Sequence, residues 1–435
     1  MDLSFDFVNL LMVDSKSDAE EKVAYFLNKF NNPKVVASLI NEGVKGNGFY
    51  VDGFKNDRAE IFASVLKYDY NFIACEDGGS VFFIIQKVKW AQAIYFPERN
   101  ALYTSSNDRS LVSVLKEVVD SNLLPLEATR KGSLLGFLCY SRRPYHYFYN
   151  TLPGLEFLYS KSKSLIGNVA FVSVRDGDFY NPCSLYKSSS DYLVFDSYQK
   201  LNEVLLNESF FVLSTAMSRV GQCLDFVDDR LLADSSCLAD NHVYKRIVNN
   251  LESFDVVVAF CLMGERRAWE EQEDVILDLI YEIQSSSLSC FFVFDGFTAT
   301  DSGFATSDIL KSYKEKVGYV VERSGLKESE FISMVGMRPK EKILISGKVD
   351  LFLSDMATSS MYLSRISKKK GVVHHSPVMN YQGHTHHDVV KIEGMADSKE
   401  GEIGNPYLET YSPRKEEVMK VFMGLFYSLD CVRER

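Results

Sequence analysis

The sequence predicts an α/β protein made of two Rossmann-like domains with a ligand crevice between them. From residue 255 to 375, short β-rich apolar runs alternate with helical stretches, the pattern of βαβ units and a parallel sheet. A looser version of the same pattern runs through the first half. At 435 residues the chain exceeds one ordinary core, and a composition of 46% hydrophobic and 25% charged residues suits well-packed domains. The expected division is a first domain over 1–240, a second over 241–411, and a closing helix over 412–435 that crosses back to the first domain.

In the first half, strands are expected at 7–13 and 34–40 around an amphipathic helix at 19–30, and a further helix at 111–121. A strand at 134–140 runs into the loop Ser141-Arg142-Arg143-Pro144. A helix at 145–159 is expected to break at Pro153-Gly154, because proline lacks an N–H and glycine disfavours helix. Strands at 168–174 and 210–214 complete this sheet, and 222–241 reads as the connection between domains. In the second half, strands at 255–261, 290–294, 331–335, 349–354 and 371–375 alternate with helices at 269–283, 307–323, 339–346 and 359–367. Val275, Ile276, Leu279, Ile280 and Ile283 fall at helical spacing in the first of these helices. Val418, Val421, Phe422, Leu425 and Phe426 give the closing helix an apolar stripe.

A net charge of −11 argues against a broad nucleic-acid footprint, which needs many phosphate contacts. Arg142-Arg143 and Lys368-Lys369-Lys370 are the local basic clusters, the second suited to a helix end. The eight cysteines are scattered with no C-x-x-C pair, as expected of a reducing cytoplasm. Residues 1–6 lack the basic flank and apolar run of a signal peptide, and no apolar stretch approaches the roughly 20 residues that span a bilayer. A cytoplasmic protein is expected, with peripheral attachment to the inner face of the membrane and self-association left open.

Five of the seven histidines, His374, His375, His384, His386 and His387, follow the last predicted strand-helix-strand unit. Ligands of open α/β sheets bind at the carboxyl ends of strands, so His374, His375 and Ser376 are candidate ligand contacts. Thr358, Ser359 and Ser360, just after a strand, offer N–H and hydroxyl donors to a diphosphate, or serve only as a helix cap. Glu265, Arg266 and Arg267 follow the first strand of the domain, where an arginine can neutralise a leaving diphosphate. Asp295-Gly296 ends a strand, where a carboxylate can hold a ribose hydroxyl or act as a base, or mark only a turn. His384, His386 and His387 with Asp388 have metal-ligand chemistry, or form an acceptor loop. In the first half, Arg142, Arg143, Tyr145 and His146 follow a buried strand. A histidine of near-neutral pKa can take a proton from an acceptor hydroxyl, the arginines can hold an anionic acceptor, and the aromatic rings can stack on a sugar or pack in a core.

Residues 255–378, with VVVAFCLMGERRAW, CFFVFDGF and VDLFLSDMATSSMYLSRISKKKGVVHHSP, resemble the nucleotide-sugar-binding domain of GT-B glycosyltransferases, most closely the heptosyltransferase-like group. Where that group carries Asp-Ser-Gly-Pro-Met-His, this chain has Ala357-Thr358-Ser359-Ser360-Met361-Tyr362. Asp295-Gly296 and His375-Ser376-Pro377 loosely resemble the acidic-Gly and His-Pro motifs of bacterial sialyltransferases of the same fold. His146-Tyr147 before Leu152-Pro153 loosely resembles the His-aromatic-x-x-Leu-Pro motif of another glycosyltransferase group, with a longer spacing.

The resemblance implies a GT-B-like, metal-independent glycosyltransferase that needs no cofactor beyond a nucleotide-sugar co-substrate. It implies transfer to a saccharide or lipid-linked acceptor in bacterial surface polysaccharide synthesis, such as lipopolysaccharide or capsule. His146 is then the general base, Arg266 and Arg267 stabilise the leaving group, and Glu265, Asp295, Gly296, Thr358, Ser359, Ser360, His374, His375 and Ser376 contact the donor. Arg142, Arg143 and Tyr145 hold the acceptor. A noncatalytic glycan-binding or scaffold protein of this fold and a sugar-nucleotide epimerase are the alternatives. No P-loop, G-x-G-x-x-G, G-x-S-x-G or H-E-x-x-H motif is present.

Overall fold

In a computed structural model the chain divides into two units, Met1–Val227 and Asp228–Arg435. The structure describes residues 18–43, 49–54, 56, 58–87, 91–104, 109–127, 130–161, 163–217, 223–263, 269, 271–356, 358–377, 388–396 and 411–433. The strand expected at 7–13 lies outside them, as do Glu265, Arg266, Arg267, His384, His386 and His387.

The first unit opens with α1 (Asp18–Phe30) and α2 (Pro33–Glu42). The second replaces the strand expected at 34–40. Pro33 at its first position is preorganised for helix, and a short apolar run does not by itself distinguish the two states. Six antiparallel strands follow in sequence order: β1 (Tyr50–Asp52), β2 (Arg58–Lys67), β3 (Tyr70–Asp77), β4 (Ser80–Gln86), β5 (Ala93–Phe96) and β6 (Ala101–Thr104). Asp77-Gly78-Gly79 turns the chain between β3 and β4, with both glycines at positive φ. The helix α3 (Arg109–Asp120) packs Leu111, Leu115 and Val118 on the meander beside Phe72, Phe83 and Tyr95.

A parallel sheet then forms from β7 (Ser133–Leu138), β8 (Phe171–Val174), β9 (Tyr192–Phe195) and β10 (Phe210–Ser214), in the order β10-β7-β8-β9. Its connections carry α4 (Pro144–His146), a π turn (Tyr147–Thr151), α5 (Leu152–Lys161), α6 (Lys163–Asn168), α7 (Pro182–Tyr186) and α8 (Tyr198–Asn207). The helical run from Pro144 to Lys161 continues through Pro153-Gly154 instead of breaking there. At the π turn the Leu152 N–H reaches back to the Tyr147 carbonyl, which shifts the ladder just ahead of the residue that cannot donate. Gly154 lies so close to the chain after β10 that a Cβ there would collide with the Thr215 carbonyl.

The two sheets of this unit meet at the open edge of β10. Ser64 Oγ accepts from the Val212 N–H at 3.1 Å, Asn71 Nδ2 donates to the Val212 carbonyl at 2.8 Å, and Gln86 Oε1 accepts from the Ser214 N–H at 2.9 Å. The Asn202 side chain on α8 does the same for β2, giving and accepting one bond each with the backbone of Leu66. All these atoms are buried, so each bond relieves a desolvated group that would otherwise cost about 1–3 kcal/mol.

The second unit has helices where a linker was expected: α9 (Leu224–Ser236), within which the unit boundary falls, and a 3₁₀ turn (Cys237–Asp240) leading to α10 (His242–Glu252). Asp228 on α9 forms a fully buried ion pair with Arg365, Nη2 to Oδ1 2.9 Å. The rest alternates as expected: β11 (Val256–Cys261), α11 (Gln272–Gln284), β12 (Cys290–Asp295), α12 (Ser307–Ser324), β13 (Phe331–Ser333), α13 (Pro339–Ser346), β14 (Leu351–Asp355), a π turn (Met361–Ile366) and β15 (Lys370–His375). A sixth strand, β16 (Val389–Glu393), was not expected, nor was the small pair β17 (Met395–Ala396) and β18 (Tyr411–Ser412).

The sheet is wholly parallel in the order β13-β12-β11-β14-β15-β16, which is the doubly wound Rossmann order 3-2-1-4-5-6. Val256, Val258 and Phe260 of β11 point to one face, and Val257, Ala259 and Cys261 to the other. The first face is covered by α11, α12 and the closing helix α14 (Lys415–Arg433), the second by α10, α13 and the π turn. The closing helix packs within its own unit. Val418, Phe422 and Phe426 bury its stripe on its own sheet, with the Phe422 ring 5.8 Å from that of Phe260. No described helix is long and apolar enough to cross a membrane.

Phe422 is fully buried. Its replacement by alanine should destabilise the second unit by about 3–5 kcal/mol in urea unfolding, whereas Tyr427→Ala, at an exposed position of the same helix, should change it by less than about 1 kcal/mol.

Candidate functional site

In the first unit, strand order reverses between β7 and β10, and the carboxyl ends of these two strands frame a place where ligands of open sheets bind. The chain after β7 passes through Ser141, Arg142 and Arg143 into α4 and the π turn. Asn150, in that turn, ties this helix to the chain after β10. Its carbonyl accepts from the Met217 N–H at 3.1 Å and its Nδ2 donates to the Met217 carbonyl at 3.3 Å.

That second bond orients the amide, leaving Oδ1 to face His146. His146 Nδ1 lies 3.0 Å from Asn150 Oδ1, so Nδ1 carries the proton and Nε2 keeps its lone pair. Burial pushes the His146 pKa down from 6.5; the Asn150 bond and the charge of Asp69 oppose that fall, and Arg143 and Lys87 add to it. At neutral pH the ring is therefore an unprotonated base of the correct tautomer. The Tyr145 ring packs edge-on against it at 5.2 Å and stacks on Tyr149 at 4.5 Å. Arg142 and Arg143 are exposed. Arg142 Nε lies 3.6 Å from Asp176, and the Arg143 guanidinium has no carboxylate partner among the described residues. The structure thus brings together Arg142, Arg143, Tyr145 and His146, the four residues singled out in the first half of the sequence. It adds a role for Asn150, in the same segment as His146, and it adds Asp69 and Lys87, which lie on other segments that sequence proximity does not connect to it.

In the second unit the reversal falls between β11 and β14, and Cys261, Asp295, Asp355 and His375 end the four central strands. Thr358, Ser359 and His375 are half-buried at this edge, and the Ser359 carbonyl lies 3.7 Å from Cys261 Sγ, over the end of β11. His375 Nδ1 donates to the Ser376 carbonyl at 3.1 Å.

Four other expected donor contacts point inward. Ser360 and Ser376 are buried. Asp295 is 1% exposed and paired with Lys342, Nζ to Oδ1 2.6 Å. The same ammonium donates to the carbonyls of Gly296 (2.9 Å) and Phe297 (3.1 Å), so all three of its protons are used. Asp295 and Lys342 thus fix the turn after β12. Gly296 is required by packing, since a Cβ there would run into the Tyr313 ring. Lys342 went unnoticed in the sequence, although it sits three and four residues before the buried Ile345 and Ser346 on α13.

His374 also points inward. It is fully buried on the face of β15 covered by α14, with Nδ1 2.8 Å from Tyr411 Oη and its ring 4.8 Å from that of Trp269. Burial, helped by the charge of His375, holds its pKa down at about 3. A residue at the end of a strand faces a ligand only if its side chain leaves the covered face, and this one does not.

Lys342→Met should leave the Asp295 carboxylate buried without its partner and cost about 3–5 kcal/mol in urea unfolding, with Asp295→Asn in the same chain recovering part of the loss. His374 is neutral when folded and takes up a proton when unfolded. The unfolded state therefore binds more protons between its ordinary pKa of 6.5 and the folded value of about 3, and stability contributed by this residue is present above 6.5 and lost as pH falls toward 3. Unfolding curves at pH 7.5 and 4.5 should show a smaller acid loss for His374→Leu than for the wild type.

No protein-family model matches the chain, and no curated protein matches it. Among solved structures it is similar to a glycosyl transferase family 9 protein from Veillonella parvula, at 12% identity and a TM-score of 0.30, over 66% of this chain and 81% of that one.

Proposed function

We propose that the chain is a glycosyltransferase that moves a sugar from a nucleotide-sugar donor to a hydroxyl of a saccharide or lipid-linked acceptor, with the acceptor held by the first unit. The observation that carries this reading is His146: a half-buried, unprotonated imidazole held in one tautomer by Asn150 where β7 and β10 part, beside aromatic rings and the exposed Arg143. His146 Nε2 takes the proton of the acceptor hydroxyl as its oxygen bonds to the anomeric carbon. The bond from that carbon to the donor diphosphate breaks, and the nucleoside diphosphate leaves with the electron pair.

Tyr145 gives the acceptor ring an apolar face, and Arg142 and Arg143 bind negative charge on it. The Rossmann sheet of the second unit supports a nucleotide site at its switch point by analogy of fold, with Thr358, Ser359 and His375 as donor contacts. Arg266 and Arg267 are assigned to the leaving diphosphate, and Glu265 to another part of the donor. The reaction calls for no cofactor beyond the nucleotide-sugar and, by the resemblance in sequence, no metal. Surface polysaccharide synthesis at the inner face of a membrane is the setting this chemistry suits. The burial of Asp295 and His374 favours a second reading, a noncatalytic glycan-binding protein of the same fold.

A thermal-shift screen against UDP-, GDP-, CMP- and ADP-sugars separates the two readings. A stabilising donor that is consumed only when acceptor is added supports transfer, and no response to any of them supports the second. In the transfer assay His146→Ala should lower turnover by about 10²–10⁴ with little change in donor affinity. The wild-type acid limb should have its midpoint below 6.5. Unchanged turnover in His146→Ala would remove His146 as the base.

A further inference from the structure

The site around His146 contains a carboxylate from a different sheet. The β2–β3 hairpin turns at Tyr68 and Asp69, and Tyr68 holds φ at +53°, a conformation that a bulky residue rarely adopts and that glycine or asparagine would normally supply. The Tyr68 ring is held in place by its surroundings. Lys67 Nζ lies 4.9 Å and the Arg142 guanidinium 5.6 Å from its centroid, and its hydroxyl donates to Glu117 at 3.1 Å. The next residue, half-buried Asp69, accepts from the backbone N–H of Arg142 at 3.0 Å through Oδ1. This is the residue at which the chain leaves β7 for α4.

We propose that Asp69 is a positioning residue of the candidate transferase site: it anchors the Arg142-Arg143 loop and supplies the negative charge that stabilises His146 in its protonated form. The inference rests on the reading of His146 as the base. When His146 accepts a proton, the imidazolium forms beside Arg143 on its own loop and Lys87 after β4, two cations that disfavour it, in a place where burial disfavours it too. Asn150 on the π turn contributes a dipole, and among the described residues Asp69 is the carboxylate that acts on the ring. A base that cannot hold its proton does not assist attack, so a charge that favours the imidazolium without touching it lowers the barrier. Burial first, then the charges of Asp176 and Asp69, also hold the Tyr140 hydroxyl proton more tightly.

The test is the titration of His146, followed by NMR of the histidine rings and assigned with His146→Gln. It needs no substrate. Asp69→Asn keeps an oxygen for the Arg142 N–H and removes the charge, and should lower the His146 midpoint by about 0.5 unit or more. Asp69→Ser, which keeps an acceptor in a smaller side chain, should do the same. Asp69→Glu should restore the midpoint toward wild type, and Tyr68→Gly, which suits the turn, should leave it unchanged. An unchanged midpoint in a folded Asp69→Asn or Asp69→Ser protein overturns the inference, as does a midpoint that stays low in Asp69→Glu. Loss of turnover in His146→Ala with no shift in Asp69→Asn sinks this inference alone. A shift in Asp69→Asn with full turnover in His146→Ala sinks the base assignment alone.

Discussion

The first unit depends on the satisfaction of one strand edge. β10 lies at the border of its parallel sheet, and its outward N–H and C=O groups are buried, so they must find partners within the protein. Another strand would have extended the sheet. Instead, Ser64, Asn71 and Gln86, from three strands of the meander, supply the bonds with side chains. This joins a sheet of opposite character to the parallel one without merging their ladders. The join also has a direction, because the strands that cap β10 are those whose hairpin ends at Tyr68 and Asp69. The same polar requirement that closes the edge therefore sets where that hairpin reaches.

The second unit was legible in the sequence because its signal is local. From 255 to 375 each strand is a short apolar run and each helix has its own period, and a right-handed alternation of the two leaves few topologies open. The meander was missed, although Asp77-Gly78-Gly79 between two apolar runs marks a hairpin. Its strands are apolar on both sides of the chain and show little alternation: Ile73, Ala74, Cys75, Phe82, Phe83, Ile84 and Ile85 are all buried. The polar residues that join the sheets were illegible for a different reason. Ser64, Asn71 and Gln86 meet partners more than a hundred residues away, and nothing near them in sequence distinguishes them from surface residues.

The candidate site was legible in the first unit and only partly so in the second. Arg142, Arg143, Tyr145 and His146 are consecutive or nearly so, and they follow a strand into a helix, so sequence proximity and spatial proximity coincide. At the edge of the second sheet the rule that strand ends hold ligands locates the place but not the side chain. Both faces of this sheet are covered, and alternate residues of β15 enter opposite cores up to the last pair. His374 and His375 are adjacent in sequence, yet one is sealed against Tyr411 and Trp269 while the other is half-buried at the rim. Asp295 follows the same logic, since its partner Lys342 is on a helix that sequence spacing does not connect to it.

The packing of α14 on its own sheet has a consequence for synthesis. Phe260 and Phe294, from strands made early in the second unit, share a core with Phe422 and Phe426 from the last helix. Until that helix emerges, one apolar face of the growing sheet has no cover along much of its width, although α11 and α12 are already present. A nascent chain at that stage displays a surface that chaperones recognise and that pairs readily with other chains. The second unit is thus expected to stay vulnerable until α14 has been made, whereas the first can close its sheets before the second begins.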